Sequence, residues 1–204
     1  MKQFFVRYHR LFVVLLIVQV ALLLAACGPL TWLSDATNIL PIVANMVSLV
    51  LTLIATLSGG TILPVDVAAA VSAIIAKVLS GIKDIQAAVE AYKSTTPPPV
   101  GALAKIKAAT QAVIDHLDAF LNDTLGSIVN QALHGKISDL LTLVLQEVLA
   151  FSSLLPALNA SAGQKLTIVV PMTSKEAKAA WNNIISEPSG DAAVDAALAA
   201  LPKL

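Results

Sequence analysis

The chain has a single cysteine, Cys27, in 204 residues. One cysteine cannot form an internal disulfide, and it excludes a thiolate metal cluster. Charge is equally scarce. Asp, Glu, Lys and Arg make up 13% of the residues, about half the share usual in soluble domains. Beyond residue 26, ten basic side chains face thirteen acidic ones. That balance leaves no basic footprint for nucleic acid. Aromatic residues are 4% of the chain. No Gly-x-Ser-x-Gly, phosphate-binding loop or dinucleotide fingerprint occurs, and no internal repeat of fixed period.

What is abundant is Ala, Leu and Val. They begin at Leu11–Ala26, an uncharged apolar run preceded by Lys2, Arg7 and Arg10 and closed by Leu24-Ala25-Ala26-Cys27. A basic start, an apolar middle and small residues at the end are the parts of an export signal. The closing tetrapeptide resembles the lipobox of bacterial lipoproteins. The resemblance implies cleavage after Ala26, with Leu24, Ala25 and Ala26 as the cleavage motif. It also implies a diacylglycerol thioether on Cys27 and a further fatty acyl chain, such as palmitate, on its amine. Several chains hold a protein stably, since each buried methylene contributes about 0.8 kcal/mol. The alternatives are plain secretion and an uncleaved anchor, for which the run is short of the roughly 20 residues a span prefers. Gly28 stands where an Asp commonly keeps diderm lipoproteins at the inner membrane. The resemblance therefore leans toward an outer-membrane protein facing the periplasm.

The organisation expected is a signal peptide over 1–26, a lipid-anchored tether over 27–35, a helical bundle over 36–158 and a C-terminal appendage over 159–204. The fold class expected is all-α, with about four long helices. Trp32 suits either a membrane interface or packing on the first helix. Residues 36–65 carry no charge, and Ile39–Leu57 is long enough to span a bilayer. However, Asn38, Asn45, Ser48, Thr52 and Thr56 recur at spacings that place them on one stripe of a helix. Such a stripe faces water in a bundle or supports close helix contacts in a membrane. Pro41 is expected in the first turn, and Ser58-Gly59-Gly60 ends the element.

A second helix is expected over Pro64–Lys93, kinked at Ser80-Gly81. Three prolines at 97–99 form an extended spacer. A third helix runs from Gly101 to about Leu133, with a turn at His134-Gly135. The fourth, Lys136–Leu155, is apolar almost all round, its wet edge marked by Lys136, Asp139, Gln146 and Glu147. Lys165–Val170 reads as a brief extended segment. Thr173-Ser174-Lys175-Glu176 is a capping box opening a helix through Trp181 to Ile185, and Asp191–Leu201 is a last helix after the turn at 187–190.

Candidate chemistry is thin. Asp115 and Asp118 share a helix face beside His116, but so do Lys107, Gln111 and Asn122, the pattern of a solvated stripe. His134 reads as a helix-end residue. Ser80-Gly81-Ile82-Lys83 matches a Ser-x-x-Lys motif whose companions are absent. Asn122 and Asn159 open sequons by pattern only. No catalytic residue, cofactor or metal site is expected. Three roles remain: a structural or partner-binding envelope protein that presents an exposed apolar strip to a protein partner, a carrier of a hydrophobic molecule in a cavity between helices, or a membrane-inserting helical protein.

Overall fold

The computed structural model describes residues 32–155 and 172–204. Contacts divide the chain into two units, residues 1–34 and 35–204. The signal segment, Cys27 and the Lys165–Val170 segment lie outside the described residues.

The described residues form an all-α fold of four long helices and two short ones. Helix α1 is Trp32–Leu57. Its inner face is almost wholly Leu, Ile, Val and Met, including Leu40, Val43, Met46, Val47, Val50, Leu53 and Ile54, all buried. Each such side chain gains about 1.5–3 kcal/mol on burial, which outweighs the modest helix propensity of its β-branched members. The helix begins earlier than the sequence suggests. Pro41 therefore sits in its interior, on the exposed side, where the missing N–H leaves a carbonyl for water. Trp32 is buried, which removes its interfacial reading. Gly59 (φ +86°) turns the chain, and its N–H donates to Leu63 O at 3.1 Å.

Helix α2, Val65–Ser94, buries Val71, Ile75, Val78, Ile82, Ile85 and Val89. Its outer face is filled with Ala between isolated charges, so low charge density comes with small side chains and not with exposed bulk. The helix is continuous through Gly81. That residue permits close approach: a Cβ there would lie 2.5 Å from Val113 Cγ2 on α3, Ala102–Ala119. Gly81→Ala is therefore expected to destabilise by about 1–3 kcal/mol from overpacking, although Ala is the better helix former. Chemical denaturation of a cycle with Val113→Ala checks this. The second substitution recovers much of the loss if the clash is the cause.

Helix α3 ends sooner than the apolar pattern implies. Phe120–Thr124 form one π turn and Leu125–Ser127 a 3-10 turn, followed by extended Ile128. The π turn adds a residue, which brings Leu125 inward in place of Thr124. Phe120, Leu125 and Ile128 are all buried as a result. Helix α4 is Gln131–Leu154, started by Asn130, whose side chain accepts from Leu133 N–H at 3.0 Å. His134-Gly135 is thus in the first turn of α4 and not a connection.

Helix α4 packs against both α3 and α5. Helix α5, Ser174–Ser186, opens with the expected capping box. Thr173 Oγ1 accepts from Glu176 N–H at 3.3 Å, and Glu176 Oε2 accepts from Thr173 N–H at 2.7 Å. The Thr173 N–H foremost, and then the Thr173 hydroxyl, which donates to the same Oε2 at 2.8 Å, hold the Glu176 carboxyl below its usual range. Helix α6 is Ala192–Ala199. The C-terminal segment is more tightly docked than an appendage. Trp181 is fully buried, and Lys136 Nζ donates to Ile184 O at 2.9 Å. Asn182 holds Leu204 by two hydrogen bonds.

Candidate functional site

The residues singled out for chemistry do not assemble. Asp115, His116 and Asp118 are exposed on α3. Gln111 Nε2 donates to Asp115 Oδ1 at 2.8 Å, and Asn122 Nδ2 donates to Asp118 O at 2.8 Å, as in any solvated stripe. Ser80 and Lys83 are exposed on α2. Among the described residues, no three His, Cys, Asp or Glu side chains converge as a metal site would require. Cys27 and the cleavage residues Leu24, Ala25 and Ala26 lie outside the described residues.

The polar stripe of α1 is the element whose orientation bears most on function. Asn38, Asn45, Ser48, Thr52 and Thr56 all point outward, opposite the buried apolar face. Thr52 Oγ1 donates to Ser48 O at 3.1 Å and Thr56 Oγ1 to Thr52 O at 2.8 Å. Asn38 borders a surface cleft shared with Met172–Lys175, and the rest of the stripe, Asn45 to Thr56, is exposed on the outer side of α1. Polar-out and apolar-in is the arrangement of a helix whose other side is water. Three helices, α1, α2 and α4, are long and apolar enough to cross a membrane. In α1 the apolar side chains are spent on the interior.

Polar groups enter the core at α4. Thr110 of α3 is satisfied by donating to Ile106 O at 2.7 Å, but two residues expected at the wet edge of α4 are buried instead. Lys136 is 6% exposed and capped by the Ile184 carbonyl. Glu147 is 1% exposed, and neither carboxyl oxygen has a hydrogen-bond partner among the described residues. Burial pushes its pKa up to about 7, helped by the like charge of Glu176 on α5. Spacing held the signal: Glu147 falls three residues after Val144 and four before Phe151, on the buried stripe of α4. The Trp181 indole N–H is likewise buried without a partner among the described residues.

No protein-family model matches this chain, and neither a curated protein nor a solved structure is significantly similar to it. The surface is therefore the remaining guide. Among the described residues, the exposed large apolar side chains are Val65, Val100, Val129 and Leu149. They sit on four separate segments, so the apolar strip expected as a partner surface is not formed there. The described clefts are open surface depressions. One of about 300 Å³ lies between Ala36, Leu40 and Pro41 of α1 and Gln86, Val89 and Lys93 of α2. Another, of about 450 Å³, lies between Asp35 and Asn38 of α1 and Met172–Lys175 before and within α5. A third, of about 340 Å³, is formed by residues between Ile185 and Lys203. Their mixed polar linings do not resemble the enclosed apolar site a hydrophobic cargo prefers.

Proposed function

We propose that this protein is a lipid-anchored envelope protein. It is held at the outer membrane through Cys27 and presents a helical body, without catalytic activity, to the periplasm in a structural or partner-binding role. The observation that supports a body standing in water is the outward polar stripe of α1, on a helix that by length and composition alone would cross a bilayer. The lipobox-like Leu24-Ala25-Ala26-Cys27 supports the anchor. Among the described residues the exposed large apolar side chains are scattered, so there a partner would be recognised through the Ala-, Ser-, Thr- and Asn-rich faces of α1 and α2.

A second reading, insertion of the helices themselves, draws on the three long apolar helices. One experiment separates the two. Mass spectrometry of protein from its native host is expected to show residues 1–26 removed and acyl chains on Cys27. Cys27→Ser is expected to leave the membrane fraction on carbonate washing. Carbonate-resistant Cys27→Ser favours insertion. A bare Cys27 sulfur with residues 1–26 still attached ends the lipoprotein reading.

A further inference from the structure

We propose that the body rests on the bilayer through one end, and that the connection between α2 and α3, with Val100 at its apex, is the edge that touches anionic headgroups. This inference rests on the lipid anchor at Cys27. From Cys27 to Trp32, where α1 is under way, the chain has five residue steps, a reach of no more than about 18 Å. Whichever end of the body carries the start of α1 is thus confined to the membrane surface. The cleft shared by Ala36, Leu40 and Pro41 with Gln86, Val89 and Lys93 places the last turns of α2 beside the first turns of α1. The α2–α3 connection therefore lies at the anchored end.

Its chemistry suits that position. Residues 94–104 carry no charge, and Val100 is fully exposed at 104%. Pro97, Pro98 and Pro99 are exposed beside it, offering apolar surface at little cost in chain entropy. From residue 90 to residue 114 there are three lysines, Lys93, Lys105 and Lys107, against one acidic residue, Glu90, which lines the same cleft as Lys93. Elsewhere the body is net acidic. Asp35 and Lys175 line a cleft at the same end, on its α1 and α5 side, with Glu176 next to Lys175 in the first turn of α5, so the excess of lysine belongs to the α2–α3 side. Lysines flanking an exposed apolar apex are the pattern of contact with an anionic lipid surface. Val129, 80% exposed, marks the opposite end, past the roughly 27 Å length of α3.

The test uses full-length protein matured in its host. There a lipidated Cys27 leaves Val100→Cys or Val129→Cys as the one free thiol for an environment-sensitive fluorophore. Each labelled protein is placed in vesicles of phosphatidylethanolamine with a minority of phosphatidylglycerol, containing bromolipid as quencher. The label at 100 is expected to shift to the blue and lose most of its emission, and the label at 129 to do neither. Replacing Lys93, Lys105 and Lys107 together by Gln is expected to reduce the quenching at 100 while flotation with the vesicles persists. Flotation with equal, weak quenching at both positions overturns the contact edge and leaves the anchor standing, as does quenching at 100 relieved by an added protein partner in place of lipid. Quenching that the lysine replacements leave unchanged overturns the role of anionic headgroups. Two labels per chain and no flotation overturn the anchor, and the contact edge with it.

Discussion

Raising the pH from about 5 to about 8 is expected to lower the stability of the helical body by about 2.5 kcal/mol, and Glu147→Gln to remove most of that loss. The group responsible is 1% exposed, has no hydrogen-bond partner among the described residues, and has its pKa raised from 4.5 to about 7. Below both values the carboxyl is protonated whether the chain is folded or not, and titration contributes nothing. Above about 4.5 the unfolded chain ionises while the folded one resists, so unfolding becomes easier with each pH unit. Above about 7 both forms are charged and the loss is complete. Glu176, Asp191 and Asp195 act in the opposite sense. Their carboxyls are held low by hydrogen bonds, so they lose their contribution only as the pH falls below the usual carboxylate range. The two windows do not overlap, and urea denaturation at a series of pH values resolves them. Glu147→Leu, which keeps the volume and discards the charge, is expected to exceed the wild type by about 1–4 kcal/mol at pH about 8. A flat profile between pH about 5 and 8, or a weakened Leu variant, would show that the carboxyl reaches water.

Trp181→Ala is expected to cost about 3–5 kcal/mol, the range for emptying a large buried aromatic site. Trp181 is fully buried on α5. Its loss also loosens the helix whose Ile184 carbonyl accepts a hydrogen bond from the buried Lys136 Nζ. The sharper comparison is Trp181→Phe. The indole N–H is buried without a partner among the described residues, so Phe discards an unsatisfied donor while keeping most of the contact area. A cost under about 1.5 kcal/mol is expected. Phe as damaging as Ala in equilibrium urea unfolding would mean that the N–H has a partner in solution and that the site is held by hydrogen bonding.

The two cases also show what could be read from the sequence. The all-α class, the span of α2 and the capping box at Thr173–Glu176 were legible, because each is written in local spacing. The outward set of α1 was legible as a stripe, but not its direction, which depends on the neighbours α1 buries against. The end of α3 was hidden. A π turn at Phe120–Thr124 shifts the inward face by one residue, and no 3.6-residue period reveals that. His134-Gly135 resembled a turn because Gly seldom stands inside a helix, whereas the true start was marked by Asn130, a plain N-cap residue three positions before Leu133. Residue type places Lys136 and Glu147 at the surface, whereas their spacing puts them on the stripe of Leu140, Val144 and Phe151. Type and spacing conflicted, and burial of the apolar neighbours decided it.

Asn130 has a second bond whose reach is long. Its Oδ1 starts α4, while its Nδ2 donates to Asp191 Oδ2 at 2.9 Å. Asp191 Oδ1 in turn starts α6 by accepting from Ala193 and Val194. Two helices whose beginnings are 61 residues apart are thereby fastened at one rivet. Fraying at either beginning deprives the other of its partner. Deuterium uptake at Leu133 and Val194 should consequently rise in step, and an Asn130→Ala chain should unzip at both places together.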